Sequence, residues 1–93
     1  MIRTFRDKRT AAIFMGEEIR AVQTRLQQRV RMKLLMLDRA QTLNDLLSPP
    51  GNRLEKLRGD RAGQHSIRVD RQWRICFRWQ AGEAFDVEFC DYH

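Results

Sequence analysis

The stretch Ser66-Ile67-Arg68-Val69-Asp70-Arg71-Gln72-Trp73-Arg74-Ile75-Cys76-Phe77-Arg78-Trp79 decides the reading of this chain. Ile67 and Val69 alternate with Ser66 and Arg68; Trp73, Ile75, Phe77 and Trp79 alternate with Arg74, Cys76 and Arg78. A period of two sends successive side chains to opposite faces of a strand. Asp70-Arg71-Gln72 suits a tight turn, so the two runs form an antiparallel hairpin. Downstream, Gln80-Ala81-Gly82-Glu83 is a second turn, after which Phe85, Val87 and Phe89 alternate with Asp86, Glu88 and Cys90. Upstream, Gly59-Asp60-Arg61-Ala62-Gly63 leads back to a shorter alternating run from Arg53 to Leu57. One face of the sheet is apolar and needs a cover; the other carries Arg68, Arg74 and Arg78.

The cover lies before Ser48-Pro49-Pro50-Gly51, where the hydrophobic period is helical. Ile2 to Phe5 is a short candidate strand. Asp7 to Met15 reads as a helix stopped by Gly16. In the next helix Thr24-Arg25-Leu26-Gln27 has the pattern of a capping box. Val22, Leu26, Val30, Leu34 and Leu37 recur every three or four residues as one apolar face, with Arg25, Arg29, Arg31 and Lys33 pointing largely elsewhere. Met32, Leu35 and Met36 widen that face and predict burial on more than one side. Thr42 to Leu47 is a last short helix before the prolines. The expectation is an α+β fold, helices on one face of a mostly antiparallel sheet, with Leu26, Val30, Leu34, Leu37, Ile67, Trp73, Ile75 and Phe77 in the core.

With 93 residues, a single domain over 1–93 is expected. Eighteen Lys and Arg against 12 Asp and Glu give a net charge of +6, and 15 of the 18 are arginine. A planar guanidinium pairs bidentately with phosphate and stacks on bases, so a nucleic-acid partner leads. No apolar run approaches a membrane span, and Met1-Ile2-Arg3-Thr4-Phe5 lacks the apolar stretch of a signal peptide, so a cytoplasmic protein is expected. Cys76 and Cys90 form neither a CxxC nor a zinc-ligand pattern and read as reduced thiols. No metal site and no cofactor are expected.

Residues 53–78 hold eight basic groups (Arg53, Lys56, Arg58, Arg61, Arg68, Arg71, Arg74 and Arg78) against three acidic ones. Two readings stand: a polyanion-binding surface, or a solvated face paired with Asp86 and Glu88. From Trp79 onward there are four acidic residues and no Lys or Arg, and the sequence given closes with Asp91-Tyr92-His93. Histidine exchanges protons near neutral pH, and tyrosine stacks on a base. His65, at a strand start, reads as structural. Ser48 and Ser66 lie in no nucleophile-elbow pattern, and Gly59 and Gly63 form no phosphate loop.

Pro49-Pro50-Gly51-Asn52-Arg53-Leu54-Glu55-Lys56-Leu57-Arg58-Gly59-Asp60-Arg61, then His65-Ser66-Ile67-Arg68-Val69, Gln72-Trp73-Arg74-Ile75-Cys76-Phe77-Arg78-Trp79 and the closing Asp91-Tyr92-His93 together resemble the HigB-type toxins of the RelE/ParE toxin–antitoxin superfamily. Lys33-Leu34-Leu35-Met36-Leu37-Asp38 fits the same resemblance. It implies a microbial-ribonuclease-like fold with helices on a small twisted sheet. It implies cleavage of messenger RNA in the ribosomal A site. It also implies a HigA-like helix-turn-helix antitoxin, through which the complex binds its operator DNA.

Metal-free RNA cleavage needs a base for the 2′-hydroxyl, an acid for the leaving 5′-oxygen, and positive charge on the transition state. Arg68 and Arg74 are the charge candidates, with Arg58 as a further one. By resemblance, His93 is the acid–base group, Tyr92 stacks on a base or helps proton transfer, and Asp91 holds the histidine. Some HigB toxins carry a histidine where this chain has Glu55, which offers a carboxylate base in its place. Arg58, Arg61, Arg78 and Lys56 are candidates for RNA contact, and Arg3, Arg6, Lys8 and Arg9 for ribosome contact. The alternatives are a gyrase-inhibiting toxin and a non-catalytic nucleic-acid-binding module, neither of which has a chemical use for the Asp-Tyr-His ending.

Overall fold

Asp7 sets the first helix: its carboxylate accepts from the Thr10 amide at 2.6 Å, and α1 runs Lys8–Phe14. Gly16, at φ +87°, turns the chain away beyond its end. Next comes α2, Thr24–Arg39. After short 3₁₀ turns at Leu43–Leu47 and Pro50–Asn52, the strands follow: β1 Glu55–Lys56, β2 Gln64–Arg68, β3 Arg74–Gln80 and β4 Glu83–Cys90. They form one antiparallel sheet in the order β1-β2-β3-β4. Ile2 and Phe5 bridge to Ala84 and Val87 in the parallel sense, so the N-terminal segment flanks β4. The structure is a computed structural model and describes residues 1–91. Tyr92 and His93 lie outside the described residues.

The helices cover one face of the sheet, as the alternation predicts. Val30, Leu34 and Leu37 of α2 and Ile13 of α1 pack with Ile67, Ile75, Phe77, Val87 and Phe89, all buried. Each such side chain is worth about 1.5–3 kcal/mol on burial. Leu26 and Trp73, expected in the core, are half-buried at its edge.

Four local expectations are corrected. The Thr24–Gln27 capping box does not form: Gln23 is the N-cap, and the Gln27 amide reaches back to the Ile19 and Val22 carbonyls while its oxygen accepts from the Ile19 amide. The preceding loop thus takes the side chain that a cap would use. Residues 53–57 are not a five-residue strand, because Arg53 has a left-handed backbone (φ +45°, ψ +54°) and only Glu55–Lys56 pairs. Phe85 does not share a face with Val87 and Phe89. Arg78 pairs with Phe85 but Cys76 with Glu88, so a bulge in β4 at Asp86 (φ +53°) flips the alternation. Met32 stays 67% exposed and Leu35 and Met36 half-buried, because the sheet covers only one side of α2.

His65 lies on the helix side of β2, its ring stacked on Phe77 at 6.1 Å between centroids. Its buried Nδ1 has no hydrogen-bond partner among the described residues. Burial first, and then the Lys56 charge, hold its pKa below the ordinary 6.5. The unfolded chain therefore binds this proton more tightly than the folded one. The contribution of His65 is fully present above about pH 6.5 and is lost as pH falls through the lower folded value. The thermal midpoint is expected to drop between about pH 7 and pH 5, and His65→Phe to flatten that drop. An equally steep drop in the variant would assign the acid sensitivity to other groups.

Candidate active site

The strand register lays functional side chains out in rows on the face away from the helices. Glu55 pairs with Ser66, Ser66 with Cys76, and Cys76 with Glu88. In the next row Arg68 pairs with Arg74, and Arg74 with Cys90. Leu57, Cys76 and Cys90 are buried together on this face. The two thiols are unoxidised, with sulfurs 3.3 Å apart. The neighbouring Cys76 sulfur, with burial, pushes the Cys90 thiol up.

Arg74 is held at two points on this face. Its Nε donates to Ser66 Oγ and its Nη2 to the Arg53 carbonyl, both at 2.8 Å. That carbonyl belongs to the left-handed residue, a backbone that costs a non-glycine about 1–2 kcal/mol. Arg68 Nε donates to the Asp70 carbonyl at 2.9 Å. Each arginine is held by neutral oxygens, and neither pairs with a carboxylate among the described residues. The turn between β2 and β3 is fixed by Asp70, whose Oδ1 accepts from the Gln72 and Trp73 amides at 2.8 Å.

A cleft of about 400 Å³ opens here, lined by Arg53, Glu55, Arg68, Asp70, Arg71, Gln72 and Arg74. It brings together three of the sequence candidates: Glu55, Arg68 and Arg74. A fourth, Asp91, stands at its edge, where Gln72 Nε2 donates to Asp91 Oδ2 at 2.9 Å. The candidates Tyr92 and His93 lie outside the described residues. Among the described residues the ion pairs are Arg3–Glu83, Arg6–Glu88, Arg61–Glu88 and Arg78–Asp86. The reading of the basic face as paired with Asp86 and Glu88 therefore holds for Arg61 and Arg78, while Arg68 and Arg74 pair with no carboxylate among the described residues. None of Arg58, Arg61, Arg78, Lys56, Arg3, Arg6, Lys8 or Arg9 lines the cleft. Arg9 is turned to packing, with its guanidinium over the Phe89 ring at 4.8 Å and Nη2 donating to the Phe89 carbonyl.

Sequence reasoning missed Arg53 and Arg71 as cleft residues, and it missed Asn52 altogether. Asn52 is fully buried. Its Nδ2 donates to the Leu46 carbonyl at 3.1 Å and to that of Ser48 at 3.4 Å, while its Oδ1 accepts from Lys33 Nζ on α2. It thereby anchors the turn that carries Arg53 and Glu55. The available signal was an uncharged polar residue next to the Pro49-Pro50-Gly51 stop, which alone reads as an ordinary turn.

The chain was compared with known proteins. The model of the HigB-like toxins, described as RelE-like toxins of the type II toxin–antitoxin system HigB, matches residues 3–93. Endoribonuclease HigB of Proteus vulgaris is 31% identical over 93 residues, the full length of both chains. Toxin HigB-1 of Vibrio cholerae serotype O1 is 49% identical over 55 residues, a match covering 59% of this chain and 58% of that protein. Among solved structures, a chain of the YoeB–YefM complex from Staphylococcus aureus superposes with a TM-score of 0.62 at 16% identity, over 100% of this chain and 98% of that one. At that identity the likeness speaks to the fold.

Replacing Asn52 with Ala leaves the Leu46 carbonyl and the Lys33 ammonium without their buried partner. The variant is expected to lose about 1–3 kcal/mol of unfolding free energy in a urea titration. A loss below about 0.5 kcal/mol, the usual range for a surface change, would show that the anchor is dispensable.

Proposed function

The chain belongs to the HigB-like toxins, RelE-like toxins of type II toxin–antitoxin systems, and from that premise we propose that it is a ribosome-dependent endoribonuclease that cuts messenger RNA without a metal ion. The observation that carries this reading is the composition of the cleft, in which Arg53, Arg68, Arg71 and Arg74 share the lining with two carboxylates, Glu55 and an Asp70 whose Oδ1 accepts from backbone amides. A cluster of this kind suits a phosphodiester whose negative charge grows during reaction.

In the proposed step Glu55 takes the proton of the 2′-hydroxyl, and the 2′-oxygen forms a bond to the adjacent phosphorus. The bond from phosphorus to the 5′-oxygen breaks as His93 protonates the leaving oxygen. The products are a 2′,3′-cyclic phosphate and a 5′-hydroxyl. Arg74 and Arg68 neutralise the charge on the non-bridging oxygens. Tyr92 stacks on a base, and Asp91 steadies the histidine. Lys56 and Arg58 supply peripheral RNA contacts and Lys8 a ribosomal one, while Arg61, Arg78, Arg3 and Arg6 reach RNA only by exchanging their carboxylate partners. Residues 1–93 act as one toxin domain in the cytoplasm, where messages are translated. The partner is a HigA-like helix-turn-helix antitoxin that silences the toxin and carries the pair to its operator DNA.

The test is single-turnover cleavage of a defined message on purified ribosomes and, separately, with ribosomes omitted, with the new RNA ends identified. Wild-type protein is expected to cut only with ribosomes and to leave a 2′,3′-cyclic phosphate and a 5′-hydroxyl, the ends that attack by the 2′-oxygen produces. Arg74→Ala and removal of His93 are each expected to slow the chemical step by about 10²–10⁴ while changing ribosome affinity less than threefold. Glu55→Gln is expected to fall in the same range. If all three variants cut at the wild-type rate while staying folded, or if the protein inhibits DNA supercoiling and leaves messages intact, the reading fails.

A further inference from the structure

A second cleft of about 600 Å³ opens on the other side of Arg68. Arg29 and Lys33 line it from α2, facing Arg68, Asp70 and Arg71. They stand four residues apart, on one face of that helix. The two clefts share Arg68, Asp70, Arg71 and Gln72, so they adjoin along the turn between β2 and β3 as two arms of one trench. Gly51 also lines the second cleft, and a Cβ added there would meet nothing within 4 Å.

The cations of this second cleft are fixed in place without being neutralised. Arg29 Nη2 donates to the Val69 carbonyl at 3.2 Å, and Lys33 Nζ donates to Asn52 Oδ1. Both acceptors are neutral oxygens, and among the described residues no ion pair includes Arg29, Lys33, Arg68 or Arg71. Burial first, and then repulsion from the Arg29 charge, lower the Lys33 pKa. An anion placed between them relieves that repulsion, and a chain of phosphates relieves it along the whole trench.

We propose that this second cleft binds the phosphodiester backbone of the same RNA strand that is cut, beyond the nucleotides at the scissile bond. Arg29, Lys33 and Arg71 contact phosphates there, and Arg68 serves both clefts. The proposal rests on reading the first cleft as the cleavage site and adds an extended strand-binding track to it.

Non-cleavable 2′-O-methyl RNA probes, a dinucleotide and an octanucleotide of one sequence, test it by fluorescence anisotropy with the full chain. Wild-type protein is expected to bind the octanucleotide at least tenfold more tightly. Arg29→Gln with Lys33→Gln is expected to remove most of that gain, to lower the salt slope by about 0.7 per lost phosphate contact, and to leave dinucleotide affinity within twofold. Because Lys33 also bonds Asn52, Arg29→Gln alone, which leaves that bond intact and lines only the second cleft, is a separate variant expected to weaken the octanucleotide and spare the dinucleotide. Octanucleotide binding unchanged in the folded variants would overturn the proposal. So would a loss seen only with message-free ribosomes, which would assign these cations to ribosomal RNA. Failure of the cleavage reading itself is scored independently, by wild-type cutting in Glu55→Gln and Arg74→Ala.

Discussion

Asn52 carries one uncharged amide into a place where charge would be costly, and both sides of the trench depend on it. Its Nδ2 satisfies carbonyls of the preceding turns, and its Oδ1 receives the Lys33 ammonium from α2. A buried amide that fills its bonding capacity in this way locks the backbone around it, because any other arrangement strands polar groups without water. The locked backbone is the segment that leads into the left-handed turn at Arg53, whose carbonyl grips Arg74. Helix, turn and sheet are thus joined through a single side chain that touches no substrate.

The site also depends on the sheet having two unlike faces. The helix side is an ordinary apolar core. The other side buries only a small patch, Leu57, Cys76 and Cys90, and leaves the rest polar. That patch keeps water from beneath the strands, while Ser66, at the centre of the face, is free of charge and bonds Arg74. Acidic residues sit toward the opposite edge of the sheet, where Glu88 takes up Arg61 and Arg6 and Asp86 takes up Arg78. On this face the arginines divide: Arg61 and Arg78 pair with carboxylates of β4, and Arg68 and Arg74 are held by neutral oxygens. A polyanion entering the trench meets arginines that no carboxylate pairs among the described residues.

The strand alternation of 66–79 determined, by sequence alone, which face each of these residues occupies, since the period of two leaves no freedom once Ile67, Ile75 and Phe77 must be covered. It also placed Arg68 and Arg74 on the open face, and the capacity of arginine to hold phosphate made them candidates before any geometry, whereas Glu55 was a candidate only through the family resemblance and reaches that face by its pairing with Ser66. Helical spacing placed Val30, Leu34 and Leu37 in the core for the same reason: burial of apolar surface is read locally, one element at a time. What only the tertiary structure decided depends on contacts between residues far apart in the chain. The bulge at Asp86 reassigns Phe85, the loop before α2 claims Gln27, Asn52 meets Lys33 across 19 positions, and the charges of Arg61 and Arg78 are cancelled while those of Arg68 and Arg74 are not. Periodicity reports where a side chain points, but its partner is fixed by the path of the backbone elsewhere, and that path is set by the packing of the whole chain.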